Sequence, residues 1–288
     1  MVDLSDIRFD GSDTLKLKDF DTSSTDGFES KEQAAVRFQE NIETMVKEQG
    51  KLYAQGRYSI LLILQAMDAA GKDGAIARVM SGLNPQGTQV HSFKQPTSEE
   101  LAHDYLWRAN RHLPERGCIG IFNRSYYEEV LVVRVHELIG TQRLPPELTK
   151  DIWDRRYEQI RHYERYLAEN GIIPVKVFLH ISKDEQKERL LSRIDDKAKN
   201  WKFSEADIKE RQYWDQYQNC YEDAINNTAT KYAPWYVVPS DKKWYARLVL
   251  SELIARTLKS LDLHYPVLDD KQQSLLQKYR ELLENENA

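Results

Sequence analysis

The sequence predicts an α/β protein whose parallel five-stranded sheet is covered by helices on both faces. Three observations carry this: short apolar runs of strand length, stretches of helical period between them, and one strand that feeds through a glycine loop straight into a helix. The apolar runs fall at 58–64, 89–93, 119–122, 175–181 and 235–238, each bounded by polar or turn residues. Ahead of them, residues 1–30 are polar, with Ser23, Ser24, Thr25, Asp26 and Gly27 in succession. They are expected to form an arm that lies on the domain or is partly disordered. Over 31–55 the positions Ala34, Ala35, Phe38, Ile42, Met45 and Val46 recur at helical spacing, which predicts an amphipathic helix packed on the sheet. Further helical patterns occupy 74–81, 98–112, 126–138, 146–170 and 184–197, and two amphipathic helices close the chain at 243–261 and 269–284. The main domain is expected over 31–262, with 263–288 as a C-terminal helical element; no internal repeat is visible.

Composition narrows the function classes. A chain of 288 residues can hold one large α/β domain, and 30% charged with 41% hydrophobic residues excludes intrinsic disorder as the dominant state. Net charge is -5, from 41 Lys+Arg against 46 Asp+Glu, so the positive field of a general nucleic-acid binder is missing. A polyanion would have to be held by a local basic channel. Cys118 and Cys220 follow no metal-binding spacing and read as reduced thiols. With an acidic N-terminal stretch and no apolar run near 18 residues, the chain is expected to be cytoplasmic, neither exported nor membrane-spanning.

Residues 59–65 run into Ala66, Met67, Asp68, Ala69, Ala70, Gly71, Lys72, Asp73 and Gly74, and then into a helix, the context a phosphate-binding loop requires. The match to the consensus G-x-x-x-x-G-K-[ST] is degenerate, because Ala66 stands at the first glycine and Asp73 at the Ser or Thr. Gly71 would let successive backbone N–H groups face an anion. Lys72 would set a point charge beside it, and the helix would add its positive dipole end. Asp68 and Asp73 would repel phosphate unless they served a hard cation, which points to magnesium, with manganese as the substitute. The plain alternative is a strand-to-helix turn with solvated charges.

The string Gln65 to Gly74, Phe93 and Lys94 with Pro96, and Phe122 to Glu129 together resemble the family-2 polyphosphate kinases. Four further pieces follow in the family's order: Arg-Leu-Leu-Ser-Arg at 189–193, Lys-Asn-Trp-Lys-Phe-Ser at 199–204, Ala-Pro-Trp at 233–235 and Asp-Lys-Lys-Trp-Tyr-Ala-Arg at 241–247. The likeness covers roughly 30–260. It implies a three-layer α/β/α P-loop kinase fold with a helical lid at about 183–210. It also implies magnesium-dependent transfer between inorganic polyphosphate and nucleoside mono- or diphosphates (AMP/ADP or GMP/GDP), and a homo-oligomer. Asp68, Ala70, Gly71, Lys72, Asp73 and Gly74 would then be the phosphate-loop residues. Asn123 and Arg124 would correspond to the family's second motif, and Asp68, Asn123 and Glu128 would hold metal. Asn123 stands where many members carry Asp, and Glu128 could supply the missing charge.

The resemblance also sorts the basic residues. Arg78, Lys94, Arg108 and Arg111 are candidates for a polyphosphate channel, although Arg108 and Arg111 share a helix face with His112 near Asp104 and Glu115, which equally fits a solvated mixed-charge surface. Arg189 and Arg193 are candidate lid arginines, with Lys197, Lys199 and Lys202 continuing the positive run; a Glu185 to Arg189 helix salt bridge is the alternative for the first. Arg134, set among Val132, Val133 and Val135, needs an anionic partner and joins Asn123, Arg124 and Glu128 as a nucleotide-site candidate. The expected mechanism is direct in-line transfer with Asp68, Lys72, Arg124, Glu128 and Arg193 as the catalytic set. Two rival readings remain at this stage: an ATP-dependent nucleotide kinase, and a non-catalytic binder of polyphosphate or nucleotides.

Overall fold

All five apolar runs form strands in the computed structural model, which describes residues 2–286. In chain order the elements are β1 (Arg8–Phe9), α1 (Lys31–Gln55), β2 (Ser59–Ala66), α2 (Lys72–Val79), β3 (Thr88–Ser92), α3 (Trp107–Asn110), β4 (Ile119–Asn123), α4 (Val132–Val135), α5 (Ile152–Glu169), β5 (Ile172–His180), α6 (Lys183–Asp195), α7 (Glu205–Arg211), α8 (Trp214–Thr228), β6 (Trp235–Pro239), α9 (Lys243–Ser260) and α10 (Asp270–Glu284). The single sheet has the order β1-β6-β5-β2-β4-β3. It therefore has six strands and is mixed, a correction to the parallel five-stranded sheet expected. Strands β2 to β6 are parallel, while the two-residue β1 from the N-terminal arm adds antiparallel to β6. So short a strand leaves no period-two pattern in the sequence.

Every residue of the central β2 is buried, as a strand covered on both faces requires. Helices α1, α2 and α9 pack together, and α5 packs with α8 and with β5. The arm lies on the domain: Val2, Leu4, Ile7, Leu15 and Leu17 are buried, and the Leu15 and Leu17 amides donate to Asn226 and Glu222 of α8. Helix α8 has no counterpart among the expected elements, while α7 falls at the end of the stretch expected as a helical lid. The buried positions Trp214, Tyr217, Cys220, Tyr221, Ala224, Ile225 and Thr228 of α8 do recur at helical spacing, but four of the seven carry a side-chain nitrogen or oxygen, which blurs a purely apolar pattern. The helices expected at 98–112 and 126–138 are reduced to short turns around α3 and α4.

Strand order places the site. The connection leaving β2 runs toward the β3 edge and the one leaving β5 runs toward β6, so a crevice opens between their C-terminal ends, where ligands bind in open α/β sheets.

Candidate active site

The loop 67–71 leaves β2 and enters α2 with two residues in the left-handed region, Ala69 (φ 62°) and Gly71 (φ 105°). Gly71 is suited to that conformation, whereas Ala69 pays about 1 kcal/mol for it and must be held from outside. Arg189 of α6 holds it. Its Nη1 donates to the carbonyls of Ala69 (3.2 Å) and Ala70 (2.7 Å), its Nη2 to those of Ser240 (2.6 Å) and Asp241 (3.0 Å), and its Nε to Glu185 (2.7 Å). Arg189 thus spends its guanidinium on the protein itself. It braces the loop after β2 against the loop after β6, and the Glu185 helix pair is present as well.

Lys72 begins α2 and is 8% exposed. Its Nζ donates to the Ala66 carbonyl at 2.9 Å and forms no ion pair among the described residues. An ammonium has three donors, so two remain for a ligand. Burial pushes its pKa down, and the neighbouring Asp68 pulls it part of the way back.

From the end of β4, Asn123 Nδ2 donates to Asp73 at 2.6 Å and Arg124 Nη2 meets Asp68 Oδ1 at 2.9 Å. Arg124 also has a positive φ of 87°, a second strained non-glycine residue beside the same loop. Glu128 follows in a single 3-10 turn, where burial raises its carboxyl pKa against the pull of Arg124 and Lys72. The Gln65 side-chain amide lies 3.0 Å from Glu128 Oε1. The sequence therefore brings Asp68, Lys72, Asp73, Asn123, Arg124 and Glu128 to one place.

The predicted lid region closes the other side. Arg193 of α6 pairs with Asp207 of α7 at 2.6 Å, and Asp207 is held protonated to higher pH by burial and by Asp68. Two cavities meet here. A cleft of about 630 Å³ is lined by the loop between β2 and α2 and by Arg193, Lys199, Lys202, Lys243 and Arg247. A second cavity, about 340 Å³, is lined by Arg124, Glu128, Val132, Glu210, Tyr217 and Tyr221. Asp68 and Asp207 border both.

Other candidates lie elsewhere. Arg108 donates to the Lys94 carbonyl (2.7 Å) and faces Glu100, Arg111 faces Glu99, and Lys94 is exposed after β3; none lines either cavity. Arg134 has the anionic partner its surroundings demanded, but the partner is Asp223 (2.8 Å), with Tyr157 alongside. Arg78 lies on α2 over the Phe38 ring, beyond the cleft. Conversely, Asp207, Lys243, Arg247, Tyr217 and Tyr221 were not among the expected site residues. The 241–247 motif contains two of them, and its i, i+4 spacing of Lys243 and Arg247 was the signal available. No cluster of three His, Cys, Asp or Glu side chains suited to a metal occurs among the described residues, and no described helix is long and apolar enough to cross a membrane.

A desolvated lysine at a helix N-terminus, an arginine paired with the same loop and the basic residues Arg193, Lys199 and Lys202 suit phosphoryl transfer, and the class of protein is an α/β phosphotransferase. Residues 28–266 match the family described as Polyphosphate kinase 2. The chain belongs to the polyphosphate kinase 2 family. It is 51% identical over 260 residues to an ADP-polyphosphate phosphotransferase of Rhodopseudomonas palustris, covering 89% of this chain and 90% of the relative. It is 47% identical over 253 residues to an AMP/ADP-polyphosphate phosphotransferase of Meiothermus ruber, covering 88% and 91%. The crystal structure of polyphosphate kinase 2 from Arthrobacter aurescens superposes with a TM-score of 0.86 at 39% identity, over 95% of this chain and 96% of that one.

Proposed function

We propose that the chain transfers a phosphoryl group between inorganic polyphosphate and a nucleoside mono- or diphosphate, AMP/ADP or GMP/GDP, on a three-layer P-loop kinase scaffold. One observation carries the reading: Lys72, buried and without a carboxylate partner among the described residues, lines a strongly basic cleft that shares Asp68 and Asp207 with a smaller cavity bearing both charge and aromatic rings. The basic cleft suits an extended polyanion. The smaller cavity suits a nucleotide whose phosphates reach Arg124. The names of the two relatives above accord with both substrates.

In this reading Lys72 and Arg124 neutralise the moving phosphoryl group, and Arg193 joins them when the lid exchanges its Asp207 contact for phosphate. Closing the lid excludes water, which limits loss of the group to hydrolysis. Direct in-line transfer needs no covalent intermediate. His91 is stacked on His112, His103 on Trp107, and His136 bonds Glu210, so each imidazole is engaged elsewhere.

The donor set fits magnesium. Asp68 has one oxygen on Arg124, Asn123 uses its nitrogen on Asp73 and keeps its amide oxygen, and Glu128 stands beside them. One or two such ligands suffice where substrate phosphates complete the shell. Asp68, Asn123 and Glu128 would hold the ion, which would supply positive charge to offset that of the phosphates.

The deciding experiment is a time course with AMP, long-chain polyphosphate and magnesium. ADP followed by ATP is expected. ADP alone would contradict use of diphosphates, turnover with ATP but not polyphosphate would assign an ordinary nucleotide kinase, and binding without turnover would assign a regulator. The apolar stripe of α10, with Leu275, Leu276, Tyr279, Leu282 and Leu283 all exposed, supports a homo-oligomer, to be read by light scattering. A cytoplasmic location, where nucleotides are abundant, completes the proposal.

A further inference from the structure

The N-terminal arm reaches the site through one carboxylate. Asp241, in the loop after β6, accepts from the Thr22 hydroxyl with Oδ2 at 2.7 Å and from the Ser182 amide with Oδ1 at 2.8 Å. Its own amide donates to the Thr22 carbonyl at 3.1 Å, so Thr22 and Asp241 hold each other at two points. Ser182 is the N-cap of α6, where its Oγ accepts from the Glu185 amide. One side chain therefore ties together the arm, the loop after β6 and the start of α6. Thr22 lies outside residues 28–266, so this tie enters from beyond the stretch that matches the family.

What the tie holds is the backbone ahead of Lys72. The carbonyls of Asp68, Ala69 and Ala70 accept from α6 side chains, the first from Gln186 Nε2 at 2.9 Å and the other two from Arg189. Arg189 in turn is fixed on its far side by the Ser240 and Asp241 carbonyls. Ala69 and Gly71 have positive φ, and Lys72 follows directly, so a shift of the Asp241 loop or of α6 moves the point from which the ammonium extends. The arm is loosely packed where it makes this tie. A cavity of about 630 Å³, sharing no lining residue with the cleft, is lined by Lys16, Phe20 and Thr22 of the arm and by His180, Lys183 and Trp214 of the body. Hydrogen bonds rather than close packing therefore fix Thr22.

We infer that Thr22 is a positioning residue for phosphoryl transfer: through Asp241 it fixes the loop after β6 and the start of α6, and through them the strained backbone that aims Lys72. The inference rests on the proposed phosphoryl transfer and adds to it a residue that lines neither the cleft nor the smaller cavity. A small displacement of a charge-stabilising group lowers the rate of the chemical step while ground-state binding is largely kept, so the effect belongs in kcat and not in KM. Because the Thr22 hydroxyl acts through Asp241 and Arg189, the loss on removing it is about three- to tenfold in kcat.

The test measures kcat, and KM for AMP and for polyphosphate, in Thr22→Val, Thr22→Ser, Asp241→Ala and the double variant Thr22→Val with Asp241→Ala, with thermal melts to follow folding. Ser23→Ala, whose hydroxyl bonds Asp21, is the control within the arm. Thr22→Val should lower kcat about three- to tenfold with both KM values within about twofold and the melting temperature nearly unchanged, while Thr22→Ser should recover most of the rate. Ser23→Ala should match the unmodified protein. Asp241→Ala should lose more than Thr22→Val, and adding Thr22→Val to it should cost no further rate, because the hydroxyl has already lost its acceptor. Unchanged kcat in Thr22→Val, a loss that Thr22→Ser does not recover, losses that multiply in the double variant, or a defect seen only as a lower melting temperature would each overturn the assignment. Failure of the unmodified protein to transfer phosphate from polyphosphate would overturn the functional reading first, and this inference with it.

Discussion

The molecule buries two lysines for opposite reasons. Lys176, on β5, is fully buried with Glu164 Oε2 at 2.6 Å, and Tyr127 and the Thr228 carbonyl take its remaining donors. Glu164 in turn accepts from Tyr126 and Tyr127. Lys72 is nearly as buried but bonds only the Ala66 carbonyl among the described residues. The first network is closed and therefore structural. The second is open, and its missing partners are what a phosphate supplies.

Several measurements would test that contrast. The largest effect is expected in the core: Lys176→Met alone leaves Glu164 unpaired and should cost about 3–5 kcal/mol in urea unfolding, while Lys176→Met with Glu164→Leu should cost far less than the two single changes added. Turnover per folded molecule should stay near normal. At the cleft the pattern inverts. Lys72→Met should lower turnover on the order of a hundredfold or more, while its melting temperature holds or rises by a few degrees, because an unpaired desolvated charge has been removed. Near-normal turnover would remove Lys72 from the mechanism.

Arg193 gives a smaller effect. Arg193→Ala should reduce kcat about tenfold without a change in melting temperature, and should raise the fraction of polyphosphate lost to hydrolysis. If Arg193 only tethers Asp207, Asp207→Asn will reproduce the whole defect.

The smallest signal is in pH. Burial lowers the Lys72 pKa below the ordinary lysine value of 10.5, so the folded protein binds fewer protons than the unfolded chain between the lowered value and 10.5. Lys72 therefore destabilises the fold at neutral pH, and this penalty fades as pH climbs through that window. Activity moves the other way, since kcat/KM should fall as the ammonium deprotonates. That alkaline limb should shift upward in Lys72→Arg, and an unshifted limb would assign it to another group.

What could be read from the sequence follows the same division. The five parallel strands and the turn from β2 into α2 were legible because apolar runs, Gly71 and Lys72 are local signals. The convergence of Asp68, Asn123, Arg124 and Glu128 was legible through the family's motifs. What escaped depends on pairing across the chain. Arg134 was rightly given an anionic partner, but only the fold shows that the partner is Asp223, 89 positions away. Arg189 and Arg247 look alike as residues, yet one has every N–H bonded to the protein and the other is free for a ligand. No periodicity distinguishes them.

The brace made by Arg189 bears on how the protein is made. It ties Ala69 and Ala70 to Ser240 and Asp241, and Asp241 is bound in turn by the Thr22 hydroxyl at 2.7 Å. Contacts so distant in sequence form late, after loop-closure entropy has been overcome. A chain still emerging from the ribosome would have Lys72 and its glycine loop long before it had β6, and so would carry an unbraced loop. Competence for phosphoryl transfer should therefore arrive near the end of synthesis, sparing the cell's polyphosphate from partly folded copies.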